Sequence, residues 1–444
     1  MDDLGLSNAD LDSALAEVRE AYVARNPKSL ARFVEASAVM PGGNTRSVLF
    51  FAPFPLGLAG GEGATVTDLD GGRYIDFLGE YTAGIYGHSH PAIRRAVEAA
   101  LDGGINLGGH TLLEARFARA VTERFGLERV RFTNSGTEAN LMAIATAAAV
   151  TGRRKVLAFR GGYHGGVFTF SGGGSPVNAP FDFVLARYND TEGALATIAA
   201  HAEALAAVII EPMLGGGGCI PAEPDFLAAL IEAARAAGAV AIFDEVMTSR
   251  LAPGGLAGKY GLRPDLVTLG KYVGGGMSFG AFGGSAALLD RFDPRRPDAF
   301  PHAGTFNNNV LTMSAGLAGI TEIYTKPAAE ALNARGEALR ARLNALCQRH
   351  AAPMQFTGIG SMMTVHFTSQ PIRAPEDWAA ADPRLKELFF FDLLAAGIWM
   401  ARRGMINLSL PIGDSECERL AAAVEEFLQS RRRLLAAAAA STSG

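Results

Sequence analysis

The sequence predicts an α/β protein: a large domain with a mostly parallel sheet, followed by a smaller α+β domain. Two observations carry the sheet. Short apolar runs, "AAVIIEP", "AVAIFDE" and "DLVTLG", carry no polar alternation, and helical stretches separate such runs through the middle of the chain. Strands apolar on both faces belong in a sheet covered on both sides, and such sheets are mostly parallel. The third observation is size. With 444 residues, 49% hydrophobic and 19% charged, the chain has room for two to three domains, or for one large domain with an appendage.

From the N-terminus, an amphipathic helix is expected over roughly residues 8–40, stopping at Pro41-Gly42-Gly43. Residues 44–79 read as loop and short strands, with Asp70-Gly71-Gly72 as a hairpin signal. The alternation begins at "HPAIRRAVEAALDGG". Helix 112–125 precedes strand "RVRFTN", helix 137–151 precedes "KVLAFR", and helix 224–237 lies between "AAVIIEP" and "AVAIFDE". A helix over 327–350 opens the last region, which holds "GSMMTVHF", "FFFDLLAAGIWM" and "MINLSLP". The expected organisation is an N-terminal segment (1–79) packed with the small domain, a large domain (80–325), a small domain (326–434) and a frayed Ala-rich tail (435–444).

Composition excludes several classes. A net charge of −5, with one dense basic run at Arg431–Arg433, argues against nucleic acid as a partner. No apolar run reaches the roughly 20 residues of a membrane span, and the start has no signal-peptide pattern. Cys219, Cys347 and Cys417 form neither a disulfide framework nor a zinc pattern, which fits the cytoplasm. His88 and His90 lack a third ligand in reach, so a turn is expected there and no metal site.

Functional residues of an open α/β sheet gather at the carboxyl ends of its strands. Here those ends carry Ser135-Gly136-Thr137, Tyr163-His164, Glu211, Asp244-Glu245 and Lys271. Ser135 with Glu138 reads as a helix cap, yet the glycine between two hydroxyls also suits a phosphate at a helix start. Asp244 ends an apolar strand, where a carboxylate requires a cationic partner. That partner is either a structural salt bridge or a protonated pyridine nitrogen. Lys271 is either a lysine reaching for solvent or a desolvated nucleophile, with Gly274-Gly275-Gly276 clearing space for substrate. Taken together, a phosphate cup, a pyridinium partner and a Schiff-base lysine specify pyridoxal 5′-phosphate. Tyr163 then supplies a face for its ring, and His164 orders the Tyr163 loop.

"FTNSGTEAN", "GGYHGG", "IIEPMLGGGG", "FDEVMTSR", "TLGKYVGGG" and "HAGTFNNN" together resemble the class III aminotransferases, the fold-type-I enzymes that use this cofactor. Within them the likeness is to the branch holding glutamate-1-semialdehyde aminomutases and aromatic β-amino acid (β-phenylalanine) aminotransferases. The resemblance implies an enzyme, a transaminase, in which Lys271 forms the Schiff base and shuttles the proton. It implies Asp244 at the pyridine nitrogen, with Val246 and Met247 near the ring, and Ser135, Gly136 and Thr137 around the phosphate. It gives Tyr163 to ring stacking and Glu211 to the phenolic-oxygen side of the cofactor. Thr305 would reach the phosphate across the interface of a homodimer whose active sites are shared between chains.

"MPGGNTRSVLFFAPFPL" resembles the β-phenylalanine enzymes, in which the residue matching Arg46 takes the substrate carboxylate. An arginine fork suits that task because it binds a carboxylate through two parallel hydrogen bonds. Arg403, in "ARRGMINLSLP", matches their second arginine, for an acceptor such as 2-oxoglutarate or pyruvate; Arg402 beside it competes for the role. The expected activity moves the amino group of an aromatic β-amino acid to that 2-oxo acid. The alternative is an aminomutase; that branch usually carries a Ser-Pro-Val-Arg-type sequence after Pro-Gly-Gly, where this chain has Asn44-Thr45-Arg46-Ser47, and the aromatic cluster Phe50, Phe51 and Phe54 also weighs against it.

Overall fold

The computed structural model describes residues 10–441. Its centre is a seven-stranded sheet in the spatial order 129–133, 280–284, 266–270, 240–244, 205–210, 155–159, 182–186. The five strands from 266–270 to 182–186 pair with one another in parallel; strand Gly280–Gly284 is antiparallel to both of its neighbours. The parity of the side chains explains the apolar runs. Val156, Ala158, Ala207, Ile209 and Ile242 enter a core beneath helix Gly136–Thr151, while Leu157, Phe159, Val208, Ile210 and Phe243 enter a second core beneath helix Pro224–Ala236. Alternate residues of one strand thus face opposite cores, so both parities must be apolar. Truncating a side chain such as Phe243 to alanine costs about 3–5 kcal/mol at sites of this kind.

The expected N-terminal helix is two helices, Leu11–Arg25 and Pro27–Ser37. Asn26, at φ −124° and ψ 49°, leaves the helical region because the proline ring that follows disfavours it there. The expected start at residue 8 lies outside the described residues. The Asp70-Gly71-Gly72 hairpin forms between strands Thr65–Asp68 and Arg73–Asp76.

Residues Lys326–Arg349, Pro383–Ala395 and Asp414–Ser430 are helices over a three-stranded antiparallel sheet of 355–359, 362–366 and 405–407. Helix Leu11–Arg25 lies on Pro383–Ala395, where the Tyr22 and Phe391 rings are 5.4 Å apart and Arg19 Nε donates to Glu387 at 2.8 Å. Strand Ile398–Trp399 extends the N-terminal hairpin by pairing in parallel with Arg73–Asp76. The Ala-rich end, read as frayed, continues as helix Arg432–Ser441.

Among the described residues, no helix is long and apolar enough to cross a membrane and no group of three or more His, Cys, Asp or Glu is placed to hold a metal ion. His88 and His90 serve their turn: His88 pairs with Asp76 at 2.9 Å, and His90 caps helix Pro91–Asp102. All three cysteines are free and buried.

Candidate active site

A cleft of about 370 Å³ opens at the carboxyl ends of the central strands. Ser135, Gly136, Thr137, Tyr163, Glu211, Asp244, Val246, Met247, Lys271 and Arg46 all line it; Arg403 and Thr305 do not.

At one end the Ser135 hydroxyl accepts from the Glu138 N–H at 3.1 Å, so the capping reading holds. The remaining first-turn N–H groups of this 16-residue helix have no intrahelical acceptor and carry its positive end, so they also suit an anion. A Cβ on Gly136 would stand 2.8 Å from both methyls of Val246, so only glycine lets the helix start approach that loop. Thr137 Oγ1 accepts from the Gly166 N–H at 3.2 Å, tying the helix start to the glycines after Tyr163.

Asp244 is 4% exposed and fully partnered. Its Oδ2 accepts from Asn140 Nδ2 at 2.8 Å and lies 2.8 Å from His164 Nδ1; its Oδ1 accepts from the Val246 N–H at 3.0 Å. Thr268 donates to Asn140 Oδ1 at 2.7 Å, which fixes the amide orientation. His164 therefore orients the aspartate, a role beyond the loop ordering the sequence indicated. The sequence contains a signal for Asn140, because it closes "NSGTEAN" one helical turn after Gly136. The neighbouring carboxylate Glu245 points to the opposite side and caps helix Gly255–Lys259 through the N–H groups of Leu256 and Ala257.

Lys271 sits at the end of strand Leu266–Gly270 with φ 53°, a left-handed conformation unusual for lysine. Its amine has no hydrogen-bond or ion-pair partner among the described residues. Burial pushes it down to about 8, against an opposing pull from Asp244. The glycines after it do less for substrate than expected. A Cβ on Gly274 would strike Phe279 at 2.2 Å, and one on Gly275 the Ala315 backbone at 2.3 Å. Those two admit the neighbouring loop and helix Val310–Ala318; Gly276 alone faces open space. Glu211 accepts from the N–H groups of Tyr163 and Gly215 at 2.9 and 3.0 Å, and burial raises it to about 7.

At the mouth, the guanidiniums of Arg46 and Arg403 lie 5.5 and 5.2 Å from the centre of one ring, Tyr81. Arg402 and Arg403 occupy a turn and diverge. Arg402 Nη2 donates to the buried Glu387 at 2.7 Å. Arg403 keeps a buried Nε without a partner among the described residues. Neither Glu80 nor Tyr81 stood out in the sequence, yet both belong to the mouth. Gly79, Glu80, Tyr81 and Thr82 all have positive φ (54°, 47°, 52° and 83°), and Glu80 and Tyr81 are left-handed helical in ψ as well (46° and 47°). Each non-glycine residue in that state costs about 1–2 kcal/mol. The turn is held by Asp76 Oδ1, which accepts from the Leu78 and Gly79 N–H groups at 2.9 Å, and by Arg250, which donates to Thr82 O at 3.3 Å.

Residues 52–427 match the model of the class-III aminotransferases, which spans well over half of the chain. The chain belongs to that family. A protein named beta-phenylalanine transaminase, from Variovorax paradoxus, is 56% identical over 95% of this chain and 98% of its own. The crystal structure of a beta-phenylalanine aminotransferase from that organism matches with a TM-score of 0.94, over 96% of this chain and 99% of the other. A glutamate-1-semialdehyde 2,1-aminomutase of Sorangium cellulosum is 39% identical over 91% of this chain and 97% of its own. The match to a 34% identical transaminase with bound pyridoxal phosphate has a TM-score of 0.82 and covers 93% of this chain and 99% of that one.

Class-III aminotransferases work with pyridoxal 5′-phosphate, and the residues of this cleft fit it. An unpartnered amine of lowered basicity, a buried carboxylate held by three donors and a glycine-cleared helix start are three separate donor sets for aldehyde, ring nitrogen and phosphate.

Proposed function

We propose that this class-III aminotransferase takes the amino group of an aromatic β-amino acid such as β-phenylalanine and passes it to 2-oxoglutarate or pyruvate. The observation that carries the reading is the convergence of Arg46 and Arg403 on Tyr81. Two guanidiniums at one cleft mouth supply separate anchors for the carboxylate of a β-amino acid and the second carboxylate of a dicarboxylic acceptor. The 56% identity with the Variovorax enzyme supports the same substrate class, and the aminomutase is the more distant relative.

Bound pyridoxal phosphate supplies the electron sink that lets an amine-bearing carbon lose a proton. Lys271 would hold the cofactor's aldehyde carbon between turnovers; once the substrate amine has displaced it, the freed Nζ would carry that proton. Asp244, oriented by His164 and Asn140, holds a proton on the ring nitrogen. Ser135, Gly136 and Thr137 would receive the phosphate. Tyr163 would cover the ring, Val246 and Met247 would line its surroundings, and Glu211 would stand toward the phenolic oxygen. Arg46 takes the donor carboxylate and Arg403 that of the acceptor. Thr305 is exposed and outside its own chain's cleft, which suits a residue that completes the phosphate site of a second copy in a homodimer. The free buried thiols suit the cytoplasm.

The test is incubation of the holoenzyme with β-phenylalanine and 2-oxoglutarate. Glutamate appears if the reading holds. Absence of glutamate, with conversion of glutamate-1-semialdehyde instead, would assign the chain to the aminomutases.

A further inference from the structure

The residue assigned to the substrate carboxylate already holds one. Arg46 Nη2 is ion-paired with the carboxylate of Glu80, and both side chains line the cleft. Only that nitrogen of the guanidinium is engaged; no other donor of the Arg46 fork has a hydrogen-bond partner among the described residues. The contact is thus single-pronged, whereas an entering carboxylate can take two parallel hydrogen bonds from the same fork. Both partners are open to solvent, at 45% and 59% exposure, so the Glu80 side chain is free to swing away.

Its backbone is not. Glu80 belongs to the left-handed turn Gly79–Thr82, tied down by Asp76 and Arg250. Tyr81 of the same turn donates its hydroxyl to Val48 O at 2.9 Å, on the loop that carries Arg46. Four consecutive left-handed residues persist only where surrounding structure enforces them. Here the enforced conformation delivers a carboxylate to the arginine and an aromatic ring beneath it.

We infer that Glu80 is an internal stand-in for the substrate carboxylate: it occupies Arg46 in the empty cleft and is displaced when a carboxylate-bearing substrate enters. This rests on the reading of Arg46 as the donor's carboxylate anchor. Glu80 then acts as a specificity-determining residue. A carboxylate must outcompete it, and a neutral molecule gains nothing from its removal.

The experiment is calorimetric titration of the holoenzyme with 3-phenylpropionate, and with the neutral 3-phenylpropanamide as control. With Glu80→Gln, 3-phenylpropionate binds about two- to fivefold tighter, the range set by an exposed ion pair. The amide shows no gain. The KM for β-phenylalanine falls by a similar factor. In the double variant with Arg46→Ala the gain disappears. Carboxylate binding that is unchanged or weaker in Glu80→Gln, or an equal gain for the amide, would overturn the inference and assign Glu80 to holding Arg46 in place. If the wild-type enzyme binds 3-phenylpropionate with this dependence on Glu80 but fails to transaminate β-phenylalanine, the substrate reading falls and the carboxylate exchange stands.

Discussion

His164 Nδ1 and Asp244 Oδ2 lie 2.8 Å apart with their side chains only 1% and 4% exposed. This contact joins two strand ends far apart in the sequence, and it turns a costly buried carboxylate into an oriented one. Asp244 and Lys271 line the same cleft.

Asp244→Asn keeps the shape of that carboxylate and removes its charge. Turnover should fall by about 10²–10³-fold, the scale for removing one electrostatic stabiliser from a preorganised site. His164→Asn should cost less turnover and speed the loss of cofactor on dialysis, followed by absorbance. Turnover unchanged in Asp244→Asn would remove it from the chemistry.

Lys271→Met should lower transaminase activity more than about a thousandfold, as for loss of a covalent catalytic group. Borohydride treatment of the wild-type holoenzyme followed by peptide mapping should place the cofactor on Lys271. A label on any other lysine contradicts the assignment.

The depressed basicity of Lys271 has a pH signature in the cofactor-free protein. Between about 8 and its ordinary 10.5, the unfolded chain binds the proton and the folded chain does not, so stability rises with pH across that window. Below it both states are charged, and the folded state bears the whole penalty, about 2–3 kcal/mol for a side chain partly open to the cleft. Cofactor-free Lys271→Met should therefore melt at a higher temperature than wild type at pH 7, with the gap closing toward pH 10. Equal melting temperatures at pH 7 would count against a desolvated amine.

Arg402 and Arg403 should separate cleanly. Arg403→Ala should raise the KM for 2-oxoglutarate by about 10–100-fold, the scale of a hydrogen bond to a charged group. Arg402→Ala breaks the contact with Glu387, so its effect should appear in thermal stability with the KM little changed. The reverse pattern would exchange the two roles.

Much of this was legible along the chain. Lys271, Asp244, Glu211 and Tyr163 follow or end apolar strands and the Ser135–Thr137 cup follows strand Arg129–Thr133, and a strand end is a local property that the sequence pattern reveals. The break at Asn26-Pro27 was equally local and went unread because the apolar pattern continues through it. Other features had no local signature. Gly274 and Gly275 looked like room for a substrate, whereas a helix more than thirty residues later presses on Gly275. The left-handed turn Gly79–Thr82 contains three residues, Glu80, Tyr81 and Thr82, that do not favour positive φ, so it is held through space by contacts that include Asp76, Arg250 and Val48.

By itself the sequence determined the alternation of strands and helices, the covered parallel sheet and the chemical types waiting at its strand ends. These follow from hydropathy and from glycine or proline positions, which act over a few residues. The tertiary structure alone decided that Glu245, beside Asp244, turns away to cap a helix. It also decided which of two adjacent arginines pairs with Glu387 and which lies over Tyr81, and that Glu80 already sits on Arg46. Those outcomes depend on where side chains meet through space, after the sheet has brought distant segments to one edge.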